Sequence, residues 1–245
     1  MQLEAIHILG KPVHLVDMAG AVAFLREQAA LGNKQFVLAM NPEKIMKARE
    51  DAQLAEIIQH RATLLIADGV GLVIAAKILG LPRVSRVTGV GLFEEMVAVA
   101  AQDGRSVFLY GAAEPVVSKA AEVLRQQYPS LSVAGIQHGY EPDGQVVAER
   151  IKEAQPDFLF TALGSPKQEK WIAAHLEELP VKLVMGVGGT FDVLAGNVKR
   201  APRWVQKLGL EWLHRLLKQP SRAKRMLSLP KFLLLVIASR LRARN

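Results

Sequence analysis

Short apolar or β-branched runs alternate along most of this chain with longer amphipathic stretches, and that alternation restricts the fold more than any other feature. Phe36–Ala39, Thr63–Ala67, Ser106–Tyr110, Leu131–Ile136, Phe158–Leu163 and Leu183–Val187 have the length and composition of strands. Helical periodicity predicts helices near Ala19–Leu31, Pro42–His60, Val70–Leu79, Leu92–Gln102, Pro115–Tyr128, Gln145–Ala154 and Gln168–Glu178. Strands that are apolar throughout have no solvent-facing side. With helices between them they predict a mostly parallel sheet covered on both faces, an α/β layered domain. At 245 residues, half of them apolar, the chain can bury a full core as one domain plus an extension. No internal repeat is visible.

The extension is marked by charge. The last fifty residues hold 13 of the 31 Lys and Arg but a single acid, Glu211, so residues 1–195 are near −4 and residues 196–245 near +12. We therefore divide the chain into a body, 1–195, and a basic appendage, 196–245. A solvated tail would explain the charge alone. It would not need Trp204, Leu208, Leu210, Trp212, Leu213, Leu216 and Leu217 at roughly helical spacing. The asymmetry points to a polyanionic partner: an anionic membrane, a pyrophosphate-linked lipid or a nucleic acid. The run Phe232–Ala238 is too short to span a bilayer, which takes about 20 residues. Flanked by Lys231, Arg240, Arg242 and Arg244, it could lie in a membrane interface. The absence of cysteine excludes disulfides and thiolate metal sites and suits a reducing cytoplasm. The first residues lack the pattern of a signal peptide.

Ligands of open α/β sheets bind beyond the carboxyl ends of the strands. Four such ends are polar or glycine-rich here: Asn41-Pro42-Glu43, Asp68-Gly69, Gly164 to Gln168 and Gly186 to Thr190. None continues as G-x-G-x-x-G or G-x-x-x-x-G-K-[ST], which disfavours a dinucleotide fold and excludes a P-loop. Asp68, at the sheet mouth, could accept the proton of an attacking hydroxyl, or simply cap a helix or form an Asx-turn. Arg86 could neutralise a pyrophosphate or be a surface charge. GSPKQEKW reads as a capping box, with Ser165 at the N-cap and Gln168 at N3, compatible with anion binding helped by Lys167. GVGGTFD is a tight turn or a backbone cradle for phosphate. Glu141 to Gly144 reads as a β-turn. The histidines are not spaced as ligands and no D-x-D clamp occurs, so no metal site is expected. No G-x-S-x-G elbow is present.

Taken together, NPEKI from Asn41, LLIADGVGLV around Asp68, R-V-T-G from Arg86, FLYGA from Phe108, GSPKQEKW, GVGGTFDVLAG and RAPRWVQKLGLEWLHRLLKQPSRAKR resemble the WecG/TagA/CpsF bacterial glycosyltransferases over nearly the whole chain. Members of that family add N-acetylmannosamine or its uronic acid to lipid-linked GlcNAc. The resemblance implies an inverting, metal-independent hexosyltransferase with a Rossmann-like body and an appendage that helps close the site and meets the membrane. It implies a UDP-sugar donor as substrate, no cofactor, a polyprenol-diphosphate-GlcNAc acceptor and an anionic membrane surface as partners, with no nucleic acid; a homo-oligomer is left open. It places the protein at the cytoplasmic face of the cell membrane, in cell-wall or surface polysaccharide synthesis such as the teichoic acid linkage unit.

Carried over by motif, Asp68 would be the general base. Asn41, Arg86 and Gln168 would line the donor and acceptor site, Tyr140 and Asp192 the nucleotide pocket, and Arg215, Arg222 and Arg225 would be the appendage arginines. The chain departs from the family at Ala39, where threonine is common, and at Gly91, where aspartate is. Three other readings stay open: a uronic-acid transferase, a nucleotide-binding scaffold without catalysis, and a nucleic-acid-binding module.

Overall fold

The chain opens on a hairpin that its pattern does not announce. β1 (Ala5–Ile8) pairs antiparallel with β2 (Lys11–His14) through a turn in which Leu9 and Gly10 both have positive φ. Two four-residue strands, one containing Pro12, give too little periodicity to detect; the only signal is a glycine between alternating apolar residues. The structure, a computed structural model, describes residues 3–199, 201–202, 204–205, 211–218 and 228–242.

From there the alternation unfolds as expected. α1 (Met18–Ala30) is capped by Asp17, whose carboxylate accepts the Gly20 N–H at 2.8 Å. β3 (Gln35–Met40), α2 (Pro42–Lys47), α3 (Ala52–Glu56), β4 (Leu64–Ala67), α4 (Val70–Leu79) and α5 (Gly89–Gln102) follow. Then come β5 (Ser106–Gly111), α6 (Glu114–Gln127), β6 (Ser132–Gln137), α7 (Gly144–Ala154), β7 (Phe158–Ala162), α8 (Lys167–His175), β8 (Leu183–Gly186) and α9 (Thr190–Leu194). The appendage contributes α10 (Glu211–Lys218) and α11 (Ser228–Arg242).

One predicted helix is broken. Instead of running from Pro42 to His60, the chain stops at Lys47 and restarts at Ala52, then winds into a π-helical turn over Ile57–Arg61. The break is at Asp51, which caps the second piece by accepting the Leu54 N–H at 3.0 Å while Lys170 of α8 holds its carboxylate at 2.7 Å. That lysine hydrogen bond also keeps the Asp51 carboxyl below its usual range.

β4-β3-β8-β7-β5-β6 form a six-stranded, wholly parallel sheet. Burial follows the two-residue period of the strands. Phe36, Leu38, Met40, Leu65, Phe108, Leu159 and Val184 face one helical layer, which contains α2, α3, α4, α7 and α8. Val37, Ala39, Leu64, Ile66, Val107, Leu109, Phe160 and Met185 face the other, built from α1, α5, α6 and α9. Phe93 of α5 meets Phe160 edge-on at 4.7 Å between centroids. The free edge of β4 is covered by the hairpin, where His14 Nδ1 accepts the Leu65 N–H at 2.9 Å.

α11 divides the apolar run expected to face a membrane. Phe232 and Val236 are fully buried in the core against α2 and α4, whereas Leu234, Ile237 and Leu241 are exposed. Arg240 anchors the end of the helix by donating to the Leu79 carbonyl, an acceptor in the last turn of α4, at 3.0 Å. Among the described residues, no helix is long and apolar enough to cross a membrane.

Candidate active site

Four strands end side by side, and the polar residues that follow them enclose a cavity of about 370 Å³. Its wall includes Asn41 after β3, Asp68 after β4, Ser165 and Gln168 after β7, and Gly186 to Thr190 at the end of β8. The position agrees with the rule for open α/β sheets.

Asp68 is joined to the sheet by its own N–H, which donates to the Met40 carbonyl at 2.7 Å. It does not cap α4. The cap is Gly69, at φ +100°, with no side-chain cap bond. Gly71 allows α4 to cross the start of α2 in contact, since a Cβ there would sit 2.5 Å from the Pro42 ring. The loop after α4 then returns beside β4, with the Val87 N–H donating to the Ala67 carbonyl at 2.9 Å. This return brings Arg86 to the same cavity as Asp68 across 18 residues of sequence. The first turn of α5 closes in beside them: a Cβ on Gly89 would lie 3.3 Å from the Ala39 Cβ and 3.6 Å from Asp68 Oδ2.

Asn41 is the N-cap of α2, its Oδ1 accepting the Lys44 N–H at 2.8 Å. The capping box expected in GSPKQEKW does not form. The Ser165–Pro166 peptide is cis, Pro166 stands at the N-cap, and the start of α8 has no side-chain cap bond. Ser165 Oγ is buried with no partner among the described residues. Gln168 is drawn elsewhere: its Oε1 accepts the Gly188 N–H at 3.2 Å and its Nε2 donates to Glu169 Oε1 at 3.2 Å. Lys167 is exposed and does not line the cavity. GVGGTFD is a tight turn into α9, in which Thr190 donates its hydroxyl to the Val187 carbonyl at 2.6 Å, and its glycines line the cavity.

Four further residues reach the cavity from the appendage. Glu211, the first residue of α10, is ion-paired with Arg86, and Trp212 lines the wall beside it. Ser228 and Leu229 add the start of α11. Neither Glu211 nor Trp212 was singled out as a site residue from sequence, because their distance along the chain gives no sign of contact with the sheet mouth. Glu211 had one distinguishing mark, that of being the only acid in a basic tail.

The structure thus gathers Asn41, Asp68, Arg86 and Gln168 at one cavity. Tyr140, exposed in the loop after β6, and Asp192 on α9 do not line it. Arg215 falls on α10, with its side chain outside what the structure describes; Arg222 and Arg225 lie outside the described residues. Of the two departures from the family pattern, Ala39 is on the cavity wall. Gly91 is not: a Cβ there would stand 2.8 Å from Thr88 Oγ1 and 3.0 Å from Met18 Cε, so a side chain would have to displace both. Among the described residues, no group of three His, Cys, Asp or Glu is placed to hold a metal ion.

Comparison with known proteins shows the family. A family model described as "Glycosyl transferase WecG/TagA/CpsF family" matches residues 6–245. An N-acetylglucosaminyldiphosphoundecaprenol N-acetyl-beta-D-mannosaminyltransferase of Bacillus subtilis is 38% identical over 239 residues, 97% of this chain and 92% of the relative. The protein of the same name from Bacillus spizizenii is 38% identical over 233 residues, covering 93% and 90%. That from Staphylococcus aureus is 38% identical over 202 residues, covering 82% and 79%. Similarity of this extent takes in the strand ends, the cavity and the appendage together, and the chain belongs to the WecG/TagA/CpsF family of glycosyltransferases.

Proposed function

We propose that the protein transfers N-acetylmannosamine from UDP-N-acetylmannosamine to N-acetylglucosaminyldiphosphoundecaprenol, with inversion, in the synthesis of a surface polymer such as the teichoic acid linkage unit. The observation that carries this reading is the meeting of Asp68 and Arg86 at one cavity beyond the strand ends. The relatives' shared name supplies the sugar and the acceptor. In the reaction, Asp68 takes the proton of the acceptor 4-hydroxyl as its oxygen bonds to the anomeric carbon of the donor. The bond from that carbon to the β-phosphate oxygen breaks on the opposite face, and UDP leaves with the electron pair. Arg86 and the carboxamides of Asn41 and Gln168 are suited to meet the oxygens of the sugar and the departing diphosphate. A single displacement inverts the centre.

The uronic-acid donor is less well supported. Its carboxylate calls for a cation in the sugar pocket, and Lys44 on the wall is already paired with Glu169. The enzyme works without a metal, in keeping with the lack of D-x-D in the sequence. It lies on the cytoplasmic face of the membrane. Exposed Leu234, Ile237 and Leu241 enter the interface there, and the basic residues of α11 meet anionic headgroups. Mass-spectrometric detection of product from a GlcNAc-diphosphate-lipid incubated with several UDP-sugars, with and without EDTA, tests the reading. Product is expected from UDP-N-acetylmannosamine in both conditions. Transfer from the uronic acid alone, or strict dependence on added Mg²⁺ or Mn²⁺, would overturn the corresponding part.

A further inference from the structure

At the cavity lies a buried charged pair that the proposed chemistry does not use, Lys44 on the wall and Glu169 behind it. Lys44 Nζ and Glu169 Oε1 are 2.7 Å apart, with Lys44 6% and Glu169 0% exposed. The same carboxylate oxygen accepts from Gln168 Nε2 at 3.2 Å, and Glu169 Oε2 is buried with no partner among the described residues. Replacing such a pair by apolar side chains of similar size is often neutral or stabilising, so stability alone is a poor reason to bury it.

We infer that Glu169, with Lys44 as its counter-ion, is a positioning residue that locks the orientation of the Gln168 carboxamide at the cavity wall. A carboxamide has nearly equivalent ends in shape and opposite ends in chemistry. At Gln168 both ends are determined by groups that cannot exchange roles. An ionised carboxylate only accepts, so Nε2 must face Glu169; the Gly188 N–H only donates, so Oε1 must face Gly188. The side chain is 4% exposed and lies flat on Gly186, where a Cβ would be 2.3 Å from Nε2. Glu169 takes one Nε2 hydrogen, and the second is the donor left for a ligand.

Asn41 is oriented independently of the pair, by the backbone N–H of Lys44, which occupies Asn41 Oδ1 at 2.8 Å and leaves the Nδ2 end for the cavity. The buried pair joins α2 to α8, and the two carboxamides beside it both present N–H donors. Such a wall suits the oxygens of a diphosphate or of a sugar and disfavours a ligand donor.

This inference rests on the reading of Gln168 as a substrate contact, and the experiment separates the two. Turnover of a short-chain GlcNAc-diphosphate-lipid with UDP-N-acetylmannosamine, UDP binding and thermal unfolding are measured for Gln168→Ala, Lys44→Met/Glu169→Gln, the pair Lys44→Met/Glu169→Met, and that pair combined with Gln168→Ala. The apolar pair should melt near the wild-type temperature while kcat/KM falls about 10–100-fold, the range seen when residues that orient a ligating group are lost. In the Gln168→Ala background the same pair should cause no further loss, because its effect passes through that side chain. Wild-type kcat/KM in the apolar pair, or losses that add, would overturn the positioning role. If the apolar pair does not fold, Lys44→Met/Glu169→Gln decides by the same two criteria, since without the lysine an amide at 169 can turn its own N–H towards Gln168 and release the lock. Unimpaired turnover in Gln168→Ala alone would instead remove Gln168 from the substrate site, and with it the basis of the inference.

Discussion

Arg86 on the cavity wall is ion-paired with Glu211, the one acid among the last fifty residues. Both side chains are largely buried, at 23% and 18% exposure, so the pair joins the appendage to the body across 125 residues of sequence in a partly desolvated place. Arg86 is also the guanidinium proposed to meet the diphosphate, and Glu211 competes for its charge. Glu211→Gln should therefore tighten UDP binding by about 2–5-fold, the scale of a partly exposed ion pair. It should also speed amide exchange in α10. Unchanged UDP affinity, read by calorimetry, would mean that Arg86 does not face the leaving group.

Asp68→Asn should fold and bind UDP as the wild type does, because the cap of α4 is Gly69 and the Asp68 backbone bond to Met40 needs no carboxylate. Turnover should fall by about 10²–10⁴-fold, since an amide cannot take a proton. Wild-type turnover in a folded variant would remove Asp68 from the role of base.

The two faces of α11 can be tested separately. Phe232→Ala should cost about 3–5 kcal/mol by leaving a cavity against α4 and α2. Leu234→Ser, at an exposed site, should change stability by no more than about 0.5 kcal/mol. It should nevertheless weaken co-sedimentation with anionic vesicles about tenfold, as expected for losing one inserted leucine. Equal vesicle binding by wild type and Leu234→Ser would place the membrane contact elsewhere. Cutting the chain after Leu229 does not isolate membrane binding, because it removes Phe232 and Val236 from the core together with the exposed face.

Burial lowers the pKa of His14 below its ordinary value, and its Nδ1 accepts the Leu65 N–H in the neutral form. The unfolded chain then takes up the proton more readily than the folded one. The stabilisation is complete above the ordinary histidine range and is lost as pH falls through the lowered folded pKa. Melting temperature should drop further between pH 7.5 and pH 5.5 for the wild type than for His14→Asn, whose amide oxygen can accept the same N–H without titrating. Identical pH dependence in the two proteins would exclude His14 as the cause.

Six strands and most of the helices were legible in the sequence, because a strand apolar throughout and a helix with one apolar face are written in windows of a few residues. The placement of Asp68, Asn41 and Gln168 near one another also followed from local facts, since each follows a strand and parallel strands end on the same side; Arg86 joins them only because the loop after α4 returns beside β4. Short elements were not legible. The β1–β2 hairpin has too few residues to show a period, and Asp51 broke an otherwise continuous helical pattern with one hydrogen bond. The capping box in GSPKQEKW was locally well formed and still did not occur, because the neighbouring Glu169 and, from outside the helix, Gly188 hold the Gln168 carboxamide. Only the tertiary structure decided such matters. Lys44 meets Glu169, and Arg86 meets Glu211, across 125 residues in each case, and Phe232 lies in the core while Leu234, two residues on, is exposed. Local pattern states which side chains need burial or a partner; strand order and helix docking choose the partner, because that choice depends on which distant surfaces the sheet brings into contact.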